Sequence, residues 1–257
     1  MSGPTRPTML GVSLKLYLSP ERSVDWAVRV ADLARDHVAV QDGAVVLFVL
    51  PSLPALDGVR RALDGSGVHL GAQDLFWADR GAYTGGVSGT DLRLVGCEYV
   101  EVGHAERRRW FREDDSVIGL KLAAAFRNGL VPVLCIGEPV RTTPQGAVDE
   151  CVQRLEAVLA AAGDEIHGDL VVAYEPEWAI GSDRSAEPDH VDEVCSGIRS
   201  HLGTMPRRGA VSVIYGGSAA PGLLPRLGPN VDGLFLGRFA HDPSALGLIL
   251  DETTALR

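Results

Sequence analysis

Leu170-Val171-Val172-Ala173-Tyr174 runs straight into Glu175-Pro176, and this short stretch decides how the chain is read. Five successive apolar residues with no polar alternation suit a strand buried on both faces, as in a parallel sheet with helices packed outside it. Similar runs occur along the whole chain at Met9–Ser13, Val45–Leu50, Val68–Ala72, Tyr99–Gly103, Val131–Ile136, Val211–Tyr215 and Gly233–Leu236.

Helical patterns lie between these runs. Ser19-Pro20-Glu21 reads as N-cap, first-turn proline and first-turn acid, leading to an apolar face of Val24, Ala27, Val28, Ala31 and Ala34. Asp115 is placed to cap a helix that stops at Asn128-Gly129. Val148, Cys151, Val152, Leu155, Val158, Leu159 and Ala162 mark another helix, and Val191, Val194, Cys195, Ile198 and Leu202 a fourth. The helical stretches near Pro54–Leu63 and Pro221–Leu227 are short. Eight strand–helix units in 257 residues favour one α/β domain, a closed (β/α)8 TIM barrel over residues 1–257, ahead of a doubly wound open sheet. The long irregular stretch Gln73–Gly89 has the size of a functional loop.

The bulk composition narrows the partners. Hydrophobic residues make up 46 % of the chain, enough for a large core, and the net charge is −10. Such a field repels nucleic acid and acidic membranes, so neither is expected as a partner. An anionic substrate would need local donors: a lysine, helix N-termini or glycine amides. Cys97, Cys135, Cys151 and Cys195 are widely spaced with no C-x-x-C pair, which fits reduced thiols in a cytoplasmic protein. The polar Met1–Met9 segment has no apolar signal core.

Barrel enzymes carry their chemistry at the C-terminal ends of the strands. Lys15 follows the first strand, His104 the fourth and Glu175 the sixth, so three chemically useful groups would meet at one mouth. Gly216-Gly217-Ser218 follows the seventh strand and Gly237-Arg238 the eighth, the usual phosphate seat of this fold. No constellation of metal ligands stands out, and this chemistry requires neither metal nor cofactor.

The motifs resemble those of the triosephosphate isomerase family along nearly the whole chain. Gly103-His104-Ala105-Glu106-Arg107-Arg108 is similar to its G-H-S-E-R-R. Ala173-Tyr174-Glu175-Pro176-Glu177-Trp178-Ala179-Ile180-Gly181 is similar to its A-Y-E-P-V-W-A-I-G. Cys135-Ile136-Gly137-Glu138, Gly71-Ala72-Gln73, Gly81-Ala82-Tyr83-Thr84-Gly85 and Tyr215-Gly216-Gly217-Ser218 match further segments in order.

The resemblance implies a sugar-phosphate isomerase working through an enediolate. Glu175 would carry the proton, His104 would polarise the carbonyl as a neutral imidazole, as it does in the family, and Lys15 would steady the oxyanion. It also implies a lid from Pro176 to about Ala186, with Trp178 and Ile180 near its hinge. The amides of Gly181, Ser218 and Gly237 would surround the phosphate. Tyr83 and Thr84 would brace the neighbouring subunit of a homodimer.

The chain departs from the family pattern at several places. The family's N-W-K is Ser13-Leu14-Lys15 here, its G-G-A-S is Gly237-Arg238-Phe239-Ala240, and its G-T-G-K-T-A lid is Gly181-Ser182-Asp183-Arg184-Ser185-Ala186. Gly86 stands where the dimer loop usually has glutamate. Loss of bulk at Ser13 and gain of a guanidinium at Arg238 resemble a branch that interconverts erythrulose 1-phosphate and erythrulose 4-phosphate. An ordinary triosephosphate isomerase is the alternative, and a non-catalytic sugar-phosphate-binding barrel the more distant one.

Overall fold

A computed structural model describes residues 6–163, 166–182, 184–205 and 209–255. Eight parallel strands close into a ring in sequence order: β1 (Thr8–Ser13), β2 (Val45–Leu50), β3 (His69–Ala72), β4 (Tyr99–Val102), β5 (Val131–Ile136), β6 (Leu170–Tyr174), β7 (Val211–Gly216) and β8 (Gly233–Leu236). β8 pairs back onto β1, with Met9 opposite Gly233 and Val12 opposite Leu236. This is the (β/α)8 barrel that the unalternated apolar runs predict.

Two apolar layers explain those runs. Outward residues such as Leu10, Val12, Val100, Val102 and Val172 pack under the helices. Inward residues, including Met9, Phe48, Tyr99, Val133, Val171 and Phe235, fill the ring. Phe48 stacks on Tyr99 with centroids 4.4 Å apart. A Cβ at residue 11 would meet the Phe48 ring at 2.3 Å, so Gly11 gives the large inward ring its room.

The outer helices are α1 (Pro20–Asp36), α2 (Val38–Gln41), α3 (Leu56–Ala62), α4 (Gly89–Val95), α5 (Ala105–Phe111), α6 (Asp115–Arg127), α7 (Pro144–Ala162), α8 (Pro188–Gly203) and α9 (Pro243–Ala255). Ser19 caps α1 by accepting from the Arg22 amide, a contact typically worth about 1 kcal/mol. Its buried face is Ser23, Trp26, Ala27, Val30, Ala31 and Ala34. Val28, read above as part of that face, lies in solvent because the stripe turns through Trp26 and Val30 instead. The cap of α6 also differs from expectation. Asp114 accepts from the Val117 amide at 2.9 Å, and Asp115 is the first helical residue. Between β7 and β8 the described helical structure is a single 3-10 turn, Leu224–Arg226.

The four cysteines are free and buried. Among the described residues, no helix is long and apolar enough to cross a membrane.

Candidate active site

Ser13, Lys15, His104, Glu175, Ile180, Gly181, Ser218, Gly237 and Arg238 all line one cleft of about 500 Å³ at the C-terminal mouth of the barrel. They come from five different strand ends, and closure of the ring is what makes them neighbours. Trp178 and Ala186 stand behind the cleft as anchors, whereas Tyr83 and Thr84 border a separate cavity.

His104 follows Gly103 and is the N-cap of α5. Its Nδ1 accepts the Glu106 amide at 3.0 Å. A ring nitrogen that accepts carries no proton, so a singly protonated ring holds its hydrogen on Nε2, aimed into the barrel mouth. That Nε2 lies 3.6 Å from Glu175 Oε2. The same carboxylate oxygen is buried and makes no hydrogen bond, so it is free to take a proton from a bound molecule.

Two glycines shape the space around Glu175. A Cβ on residue 216 would lie 2.6 Å from Glu175 Oε1, and one on residue 137 would lie 1.9 Å from the Glu175 carbonyl oxygen. The Glu175 amide continues the sheet by donating to Ile136 at 2.8 Å. Glu175 is thereby set at the edge of a hydrogen-bonded ladder rather than in a loose loop.

Lys15 sits in the left-handed region at φ 50 and donates to Glu106 at 2.7 Å. Burial works against its ammonium, but the carboxylates of Glu175, Glu106 and Glu101 outweigh that effect and hold its pKa above the ordinary lysine value. The site therefore keeps a fixed positive charge at the rim.

On the far side, Ser218 is also left-handed, at φ 54. Its hydroxyl lies 2.9 Å from the Ala179 carbonyl and 2.7 Å from that of Ser182, and its one proton serves either. Arg238 donates to the Gly181 carbonyl at 3.2 Å, so its guanidinium bridges from the loop after β8 to the loop after β6. Pro176 precedes a 3-10 turn at Glu177–Ala179. Trp178 Nε1 donates to Glu138 Oε1 at 2.7 Å, and Tyr174 donates to the same oxygen at 3.2 Å. At the other end, the Ala186 amide donates to Tyr215 Oη at 2.9 Å, and that hydroxyl donates to the Gly217 carbonyl. Asp183 lies outside the described residues.

Four residues given no role in the sequence reading hold this arrangement. Glu106 engages both Lys15 and His104, Glu138 holds Trp178, Tyr215 holds the Ala186 amide, and Glu101 lies beneath the cleft, hydrogen-bonded to Ser13. Glu106, Glu138 and Tyr215 stood inside the quoted motifs, which was the available signal. Glu101 had none.

A barrel that gathers a free carboxylate, a fixed imidazole and an ammonium at one mouth belongs to the class of enzymes that move protons along small anionic substrates. The chain belongs to the triosephosphate isomerase family, whose profile matches residues 8–253, and it is an isomerase of that type. It is 51 % identical to the L-erythrulose-1-phosphate isomerase of Pectobacterium atrosepticum over 98 % of both chains. It is 39 % identical to the L-erythrulose-1-phosphate isomerase of Rhizobium etli, over 90 % of this chain and 86 % of that one. It is 38 % identical to the triosephosphate isomerase of Moorella thermoacetica, over 96 % of this chain and 98 % of that one.

Proposed function

We propose that the enzyme interconverts erythrulose 1-phosphate and erythrulose 4-phosphate without a cofactor. The observation that carries this reading is the 51 % identity, end to end, with an L-erythrulose-1-phosphate isomerase, set against 38 % with a triosephosphate isomerase. The recessed Ser13 supports it.

In this reading Glu175 removes the proton from the carbon beside the carbonyl, leaving an enediolate. His104 Nε2–H polarises the carbonyl oxygen and passes protons between the two oxygens. Lys15 opposes the negative charge that grows on them. Glu175 then returns its proton to the former carbonyl carbon, so carbonyl and hydroxyl have exchanged places. The phosphate is held by the amides of Gly181, Ser218 and Gly237, with Arg238 adding a charge-assisted contact. Closure from Pro176 to Ala186, hinged near Trp178 and Ile180, keeps water from the enediolate.

Purified enzyme should show a higher kcat/KM on erythrulose 1-phosphate than on dihydroxyacetone phosphate. Fit of one small group is worth about 10–200-fold, so some triose activity is expected. Ser13→Asn should refill the space the extra carbon needs and hurt the four-carbon reaction more. A wild-type preference for the triose substrate would make this an ordinary triosephosphate isomerase.

The working unit in this proposal is a homodimer of single (β/α)8 domains in the cytoplasm, with no nucleic-acid or membrane partner. The loop of residues 73–88 holds Tyr83 at its tip, 48 % exposed, and Leu16, Tyr17 and Phe111 also face solvent. Large exposed apolar side chains of this kind favour burial against a second copy. Light scattering should give twice the monomer mass. A monomer that keeps full activity on dilution would refute the dimer.

A further inference from the structure

Glu101 is a carboxyl group placed in the apolar interior of the barrel. It shares the inward parity of Tyr99 on β4, stands in register with Val133, and is 3 % exposed. One partner comes from β1, across the ring: Ser13 Oγ donates to Glu101 Oε2 at 2.9 Å, and Ser13 is equally buried. The other carboxyl oxygen lies 4.0 Å from His104 Nε2. Burial, followed by the opposing pull of His104 and the push of Glu175, leaves the pKa of this group raised.

A lone buried Ser–Glu pair is a poor way to stabilise a barrel. An apolar pair of similar volume would avoid the desolvation cost and serve the packing as well or better. The pair is instead located where a ligand would need it. Ser13 and His104 line the cleft, and Glu101 touches both from beneath. With its phosphate at the loops after β7 and β8 and its reacting carbons between Glu175 and His104, a substrate would turn its far end toward the inward faces of β1 and β4. Ser13 Oγ and Glu101 meet there. Since Ser13 spends its proton on Glu101, its lone pairs are left to accept from whatever arrives above.

We propose that Ser13 and Glu101 form the receptor for the terminal hydroxymethyl group of a four-carbon ketose phosphate, Ser13 accepting the substrate hydroxyl while Glu101 fixes the Ser13 rotor. This rests on the four-carbon reading and names the groups that would enforce it. A triose phosphate has no hydroxyl to place there and leaves the pair unused. Glu101 is thus a positioning residue that discriminates substrates by a hydrogen bond as well as by space.

The test compares wild type, Glu101→Leu, Glu101→Gln and Ser13→Ala on erythrulose 1-phosphate and dihydroxyacetone phosphate, with thermal unfolding recorded for each. Glu101→Leu and Ser13→Ala should lower kcat/KM for the four-carbon substrate by about 10–100-fold more than for the triose, the value of one buried hydrogen bond. Glu101→Gln retains an acceptor for Ser13 and should keep most of the wild-type preference. If Glu101→Leu lowers both rates in proportion, the residue is merely structural and the proposal fails while the four-carbon reading stands. If wild type itself prefers the triose, both fail. Should Glu101→Leu not fold, Ser13→Ala decides by the same ratio.

Discussion

Glu175→Gln should lower kcat by about 10²–10⁴-fold, the usual contribution of a positioned general base, with KM changed little. Glutamine has the same shape and keeps the packing against Gly216, where a Cβ would come within 2.6 Å of Glu175 Oε1. It lacks only the ability to take a proton. The oxygen that matters is Oε2, which is buried, without a hydrogen bond, and 3.6 Å from the His104 ring. Steady-state rates together with exchange of substrate hydrogen into deuterated water would check this. Turnover within a few-fold of wild type would end the one-base mechanism, and retained exchange would point to another base.

Gly137→Ala should place a damaging methyl directly against the backbone that carries Glu175. The new Cβ would stand 1.9 Å from the Glu175 carbonyl oxygen and 2.4 Å from its carbonyl carbon, both backbone atoms with no rotamer to escape into. The ends of β5 and β6 must part, and Glu175 moves with β6. An ångström-scale displacement of a catalytic group typically costs about 10²-fold in rate. Overpacking of this kind also costs about 1–3 kcal/mol of stability. We therefore expect kcat/KM to fall about 10²-fold along with a lower unfolding temperature. Wild-type activity and stability together would mean that the β5–β6 junction is softer than its hydrogen-bonded ladder implies.

The barrel was legible because parallel strands packed on both faces leave an unmistakable trace: apolar residues on both parities, eight times. The helices were less uniform. α1 announced itself through Ser19-Pro20, but two adjacent aspartates stand at the start of α6, and the choice between Asp114 and Asp115 depends on which backbone bends first. α9 is hard to read because apolar Leu248 lies exposed opposite its buried Leu246, Ile249 and Leu250, and α4 because seven residues after a glycine-rich loop show less than two full periods. In the site, Lys15, His104 and Glu175 could be read because each lies within two residues of a strand's C-terminal end. Glu101 could not. It sits inside a strand, and what gives it meaning is a serine 88 residues away in sequence. Glu138 is similar: its motif was visible, but its partnership with Trp178 spans 40 residues and exists only once β5 and β6 lie side by side.

Lys15 and Ser218 both hold left-handed backbones, at φ 50 and φ 54. For residues other than glycine this conformation costs of order 1 kcal/mol or more, and it persists only where the surroundings enforce it. Glycine at either position would release that strain and would also delete the ammonium or the hydroxyl that the cleft uses. Selection for heat resistance alone would thus favour glycine at positions 15 and 218, and selection for turnover would restore the side chains. These two loop residues are where durability and activity pull the sequence in opposite directions.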